Sequence, residues 1–149
     1  MNTVKLELKI HKKVMDQILE LVKKSYPHEC CGLLVGKSLE KMEVTEIRPI
    51  PNINLERARD RYVMDPKVWM QVDRELSEKK LQMLGTYHSH PDHPSVPSEF
   101  DREHAAGIFA HEVFSYIVVA CEKGAKTWAQ SWMLREATNK FEEEKLTII

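Results

Sequence analysis

The amino-acid sequence predicts an α/β fold, a mixed β-sheet sandwiched by helices. Three observations carry that prediction. Strand-like runs alternate along the chain with three stretches of helical periodicity. Two runs, 31–36 and 114–121, are apolar or β-rich enough to lie inside a sheet. The 149 residues, 42% hydrophobic and 30% charged, suit one compact core, so residues 1–149 are expected to form a single domain.

The elements follow in order. Residues 4–10 alternate apolar and polar side chains and predict a first strand. In 11–25, Val14, Ile18, Leu21 and Val22 share one helical face, and Pro27 closes the helix. Residues 31–36 predict a buried strand, with 44–50 as its neighbour, whereas 52–61 lack a period and predict an exposed loop. Asp65-Pro66 is a helix start with proline in the first turn, and Val68, Trp69, Val72 and Leu76 give the buried stripe. Leu81, Met83 and Leu84 lead into a strand that ends at His90. After a proline-rich turn, a helix is expected from Ser98 to Ala110 or His111. The run 114–121 predicts a central strand, Gly124 a turn, and 127–134 and 141–148 the closing strands.

Charge and composition narrow the functional classes. With 22 basic against 23 acidic residues, the net charge of −1 makes no electrostatic case for nucleic acid or an anionic membrane. No signal peptide or membrane-spanning run is visible. Three cysteines, with Cys30 and Cys31 adjacent, suit a reducing compartment and not a disulfide framework, so the cytoplasm is expected.

The segment 87–101 carries the chemistry. His88 and His90 lie one residue apart at a strand end, and strand side chains alternate, so both imidazoles point the same way. Ser98 and Asp101, three apart at a helix start, share one face of that helix. Two imidazoles and a carboxylate make a three-ligand set, with a hydroxyl beside it. Such a set leaves the fourth position of zinc open to water, the mark of a catalytic site, so Zn2+ and hydrolysis are expected. Ser98-x-x-Asp101 also reads as a capping box, with aspartate where glutamate is usual. The two roles are compatible, since a capped backbone would hold the side chains that the chemistry needs.

Other patterns carry less. The stretch His88-x-His90-x-Asp92-His93 resembles the metal signature of the metallo-β-lactamase superfamily, in which Asp92 and His93 would be ligands. Against it, Pro94-Ser95-Val96-Pro97 follows where a glycine-containing turn is normal, and no histidine occurs after His111. Gly32 to Ser38 imitates a phosphate-binding loop but is one residue short between its glycines and wholly apolar inside. Cys30 and Cys31 would face opposite sides of a strand and cannot chelate together. His28, His104 and His111 belong to no constellation. Trp128 and Trp132 share one strand face and read as core or groove lining.

Glu29, in Glu29-Cys30-Cys31-Gly32-Leu33, would by composition alone be an exposed residue. Joined to His88-x-His90, seven residues, Ser98, two residues, Asp101, it resembles the JAMM motif. That motif defines the metal-dependent branch of the MPN domain family of zinc peptidases and deubiquitinases. The resemblance runs from the first helix through the strand at 115–120 and implies the MPN fold, related in layout to the cytidine deaminases. The deaminase signature itself is absent. Details such as His90-Pro91-Asp92-His93-Pro94 are similar to small stand-alone prokaryotic members, which act with ubiquitin-like sulfur-carrier proteins and trim residues after a C-terminal Gly-Gly.

This resemblance implies zinc on His88, His90 and Asp101, Glu29 as the proton acceptor and Ser98 as a donor to the oxyanion. It further implies a peptide or isopeptide bond as substrate, a ubiquitin-like sulfur-carrier protein as partner, and an E1-like adenylating enzyme in the same pathway. A non-enzymatic MPN scaffold is the alternative, and the filled motif argues against it.

Overall fold

The structure, a computed structural model, describes residues 7–108 and 113–149. The start of the predicted first strand, the far end of the third helix and His111 lie outside the described residues. Eight strands and three helices follow in the order β1 (Glu7–Ile10), α1 (Lys12–Ser25), β2 (Cys31–Gly36), β3 (Glu43–Val44), β4 (Glu46–Ile50), α2 (Pro66–Glu78), β5 (Gln82–Pro91), α3 (Glu99–Ile108), β6 (Ser115–Glu122), β7 (Lys126–Arg135) and β8 (Lys140–Ile148). The strands form one sheet in the order β3-β1-β8-β7-β6-β5-β2-β4. β5 and β6 run parallel, as do β1 with β3 and β8, while the other neighbours are antiparallel. The α/β layout with a mixed sheet is therefore present.

Helices cover both faces. From α1, Val14, Met15, Ile18 and Val22 pack with Leu34, Leu84, Tyr87 and Ile117. On the opposite face, Leu76 of α2 and Ala105 of α3 pack with Leu33, Val35, Met83 and Tyr116. β2 is buried along its whole length and β6 along all but its last residue, as their apolar runs predict. Leu21, expected on the buried stripe of α1, is only half-buried, and Met15 takes that place. Asp65 caps α2 by accepting from the Lys67 N–H at 2.9 Å. Among the described residues, no helix is long and apolar enough to cross a membrane.

Two features depart from the sequence reading. The run 44–50 is not one strand: Thr45 separates β3 from β4, and these lie at opposite edges of the sheet order. A single residue joins them, so the sheet curls until its edges meet there, and the Thr45 N–H donates to Val35 O at 2.9 Å. β5 also carries a bulge. Leu34 faces Gly85 and Val35 faces Met83, so Leu84 is an extra residue. The extra residue reverses the alternation. Met83 packs on the α2–α3 side and Leu84 on the α1 side, yet Tyr87 also lies on the α1 side. His88 and His90 thereby fall on the α2–α3 face.

Gly85 makes this turnover possible. A Cβ there would lie 1.8 Å from the Ser115 carbonyl oxygen on the paired strand. Gly85→Ala is expected to destabilise the protein by about 3 kcal/mol, because backbone must separate from backbone. A urea midpoint unchanged from wild type would refute this.

Candidate metal centre and active site

His88 and His90 stand at the C-terminal end of β5, where the strand alternation puts both rings on one face. Their ring centroids are 4.9 Å apart. Asp101 reaches them from the first turn of α3. The Ser98 N–H donates to Asp101 Oδ2 at 2.8 Å, and the Asp101 N–H donates to Ser98 Oγ at 3.0 Å. This is the reciprocal capping box, and it aims the carboxylate. Asp101 Oδ2 lies 3.0 Å from both His88 Nε2 and His90 Nε2, and the two Nε2 atoms are 3.1 Å apart.

Glu29 completes the group from the segment before β2. Ligand-type atoms of Glu29, His88, His90 and Asp101 all lie within 4.8 Å of one another, and all four residues are buried. A carboxylate 59 residues upstream of His88 thus arrives beside it through the β2–β5 pairing, in which Cys31 sits opposite His88.

Charge in this pocket is strongly shaped by burial. Desolvation, with Asp101 and Asp60 nearby, pushes the Glu29 carboxyl up to about 9. Burial alone would also raise Asp101, but His88 and His90 beside it hold its carboxyl well below the usual range. Burial lowers His88 against the pull of Asp101, which favours the neutral imidazole that a metal requires. His90 Nδ1 donates to the Pro94 carbonyl at 2.8 Å, leaving the Nε2 lone pair directed into the group. His88 is instead held by its ring face, stacked on the buried Tyr62 at 4.4 Å. His104 lies edge-on to Tyr62 at 5.1 Å.

The residues fit a metal ion by an observation independent of their spacing in sequence. Glu29 Oε1, His88 Nδ1 and Asp101 Oδ1 are buried without a hydrogen-bond partner among the described residues. A cation held at Asp101 Oδ2 and the two Nε2 atoms would offset the charge of both carboxylates, and its water would give Glu29 Oε1 a donor. Two ligand atoms on a tetrahedral zinc are roughly 3.3–3.4 Å apart, from arms of about 2.0–2.1 Å. The separations of 3.0 and 3.1 Å among His88, His90 and Asp101 are close to that edge. Nitrogen and carboxylate ligands together suit a borderline divalent ion.

Glu29, His90 and Ser98 open onto a cleft of about 450 Å³ whose walls include Arg61, Val96 and Phe100. The Arg61 guanidinium lies over the Phe100 ring at 4.6 Å. Asp92 and His93 do not join the group of ligand atoms. Asp92 is a clasp: its carboxylate accepts from Tyr26 OH at 2.5 Å and from the Lys123 N–H at 2.8 Å. Trp132 donates through Nε1 to Ser95 O, bracing the turn after His90, while Trp128 is 41% exposed. No sequence signal ties Tyr62 or His104 to the site. Only their position in three dimensions relates them to it.

Comparison with known proteins places these features in context. The family described as prokaryotic homologs of the JAB domain matches residues 11–135. A desampylase of Haloferax volcanii is 31% identical over 106 residues, covering 71% of this chain and 70% of that protein. A desampylase of Pyrococcus furiosus is 32% identical over 120 residues, covering 80% and 76% respectively. A JAB1/MPN domain protein of Archaeoglobus fulgidus has a crystal structure that superposes with a TM-score of 0.61. It covers 96% of this chain and 98% of its own, at 22% identity, which speaks for the fold alone.

Proposed function

Because the chain belongs to the family of prokaryotic JAB-domain homologs, the JAMM/MPN proteins, we propose that it is a zinc-dependent metallopeptidase. In this reading residues 1–149 act as one catalytic domain. Its bond is a peptide or isopeptide bond after the C-terminal Gly-Gly of a ubiquitin-like sulfur-carrier protein. The relatives support a hydrolase acting on ubiquitin-like protein conjugates. One observation carries it: Glu29, His88, His90 and Asp101 converge, buried, behind a cleft with Ser98 at its mouth.

His88, His90 and Asp101 would hold the zinc, whose chemistry when bound is to acidify water toward a pKa of ~7 and polarise a carbonyl. Glu29 takes the proton of the attacking water and passes it to the leaving amine as the C–N bond breaks. Its burial favours that role, since a desolvated carboxylate is the stronger base. Ser98 Oγ accepts from the Asp101 N–H, so its own proton is free to bond the oxyanion. The Arg61–Phe100 stack forms one wall of the cleft, along which a glycine tail would lie. Residues 55–61 are the proposed contact for the carrier. Within them, Arg57 is tied to Asp60 at 2.5 Å and Arg61 lies over the Phe100 ring. Leu55, 85% exposed, adds an apolar contact instead.

The metallo-β-lactamase reading has no support: the fold is that of JAB1/MPN proteins, and Asp92 is engaged elsewhere. The three cysteines are free thiols, which suits the proposed cytoplasmic location. An E1-like adenylating enzyme acting on the same carrier is the expected pathway neighbour.

Incubation with a sulfur-carrier protein extended beyond Gly-Gly, followed by mass spectrometry, tests the proposal. Cleavage directly after Gly-Gly is expected, abolished by chelator and restored by zinc. Short peptides with the same tail should be cut far more slowly, because docking of the folded body is missing. An intact carrier beside efficiently cut linear peptides would overturn the substrate assignment.

Ser98→Ala separates cap from chemistry. Loss of the cap should cost about 1 kcal/mol of stability. Loss of the oxyanion donor should lower turnover by roughly 100-fold as well. Melting and kinetics on one preparation decide; full turnover with a lowered melting point would leave Ser98 as a cap only.

A further inference from the structure

Glu29 belongs to no helix or strand, since α1 ends at Ser25 and β2 begins at Cys31. Its backbone groups are therefore outside any ladder, and their partners come from elsewhere. The Glu29 N–H donates to Ala58 O at 2.5 Å, and the Glu29 carbonyl accepts from Asn52 Nδ2 at 3.2 Å. Next along the chain, Cys30 is tied to the ligand strand: its N–H donates to Ser89 Oγ at 2.9 Å, and its carbonyl accepts from the Ser89 N–H at 3.0 Å. The link through Ser89 sets one side of the Glu29 position against His88 and His90. The links through Asn52 and Ala58 set the other.

Asn52 uses its amide fully. Nδ2 donates to Glu29 O and to Arg61 O at 3.0 Å, while Oδ1 accepts from the N–H groups of Asn54 and Val63, both at 3.0 Å. An amide has two donors and two acceptor sites in useful directions, and here all four are taken. Three of the four bonds close the base of the loop 52–63 on itself. The fourth leaves the loop and lands on the peptide of Glu29. A residue serving the loop alone would not need it.

We infer that Asn52 is the positioning residue for Glu29, fixing the carboxylate against the His88–His90–Asp101 group from the loop side. The inference rests on the reading of Glu29 as the proton acceptor. Aspartate at 52 keeps an acceptor for Asn54 and Val63 but removes the donors to Glu29 O and Arg61 O, so Asn52→Asp leaves Glu29 tied to the loop through Ala58 alone while preserving the turn at 54. A misplacement of about 1 Å is enough to slow catalysis by ~100-fold. Asn52→Ala removes the turn as well and serves as the harsher variant.

The test uses the extended sulfur-carrier protein as substrate, with zinc content measured for every variant. Asn52→Asp is expected to lower kcat at least ~10-fold with KM within ~3-fold and zinc retained. In the Glu29→Gln background, with enzyme in excess and hours of reaction, the same change should leave the residual rate within ~2-fold, because the group it positions is gone. In chelated protein, the Glu29 amide should exchange at least ~10-fold faster in Asn52→Asp while amides of β5 and β6 keep their protection. Three results overturn the inference: wild-type kcat in Asn52→Asp, an equal loss in both backgrounds, or unchanged or uniformly lost amide protection. A Glu29→Gln protein that turns over at near wild-type rate instead overturns the role of Glu29 itself, which is a separate failure.

Discussion

Glu29→Gln is expected to keep its zinc and to lose at least ~100-fold in turnover. Glutamine reproduces the shape of the side chain and its backbone is free to keep the bonds to Ala58 and Asn52. What disappears is the ability to accept a proton from water. Metal should stay because His88, His90 and Asp101 hold their mutual geometry without Glu29. Zinc content and kinetics on the same sample separate the possibilities. Near wild-type turnover would remove Glu29 from the chemistry, and loss of zinc would make it a ligand.

The same variant reports on protonation. In chelated protein, burial lifts the Glu29 carboxyl from its ordinary 4.5 to about 9. The folded chain then retains a proton across that range which the unfolded chain has released. A group raised on folding stabilises the native state at low pH, and that contribution is lost as pH rises through its folded value. Chelated wild type should therefore lose stability relative to chelated Glu29→Gln as pH climbs from 4.5 to about 9. Parallel denaturation curves across that window would contradict it.

His88→Ala, His90→Ala and Asp101→Ala are each expected to weaken zinc binding by more than the ~10–100-fold typical of an outer partner. Each removes one of three atoms that lie 3.0–3.1 Å from one another. Asp101→Ala should also destabilise α3, since the same oxygen accepts from the Ser98 N–H. Asp92→Ala and His93→Ala should bind zinc as wild type does. Asp92→Ala will still lose stability, because Tyr26 and Lys123 lose their shared acceptor. Metal analysis of folded, purified variants checks the set. Zinc lost from the Asp92 or His93 variant would mean that the ligands had been misassigned.

The sequence resolved the site where its geometry is local. His88 and His90 share a face because strands alternate, and Ser98 and Asp101 meet because a helix start brings residues three apart together. Both facts belong to the run 87–101 and need no knowledge of the rest. In the structure Asp101 caps the helix and stands beside the imidazoles at once, since one carboxylate oxygen meets the Ser98 N–H and both rings. Helix starts and central strands were equally legible, since capping and apolar runs act within a few residues. The split at Thr45 was not legible, because no local signal tells a strand that its two ends will pair at opposite edges.

The strand–turn–helix unit that presents two imidazoles, a carboxylate and a hydroxyl follows from local pattern, as does the α/β class that carries it. Which side of the sheet that unit faces, how near Glu29 comes and what steadies it follow from contacts between distant segments. The bulge at Leu84 reverses the face of β5, and beside it Gly85 has room for no side chain against the β6 backbone. Glu29 approaches through pairing across 59 residues, and Asn52 reaches its carbonyl across 23. Such contacts depend on how whole elements stack. Short-range periodicity describes one element at a time, and the distance between Glu29 and the His88–His90–Asp101 group is set between elements.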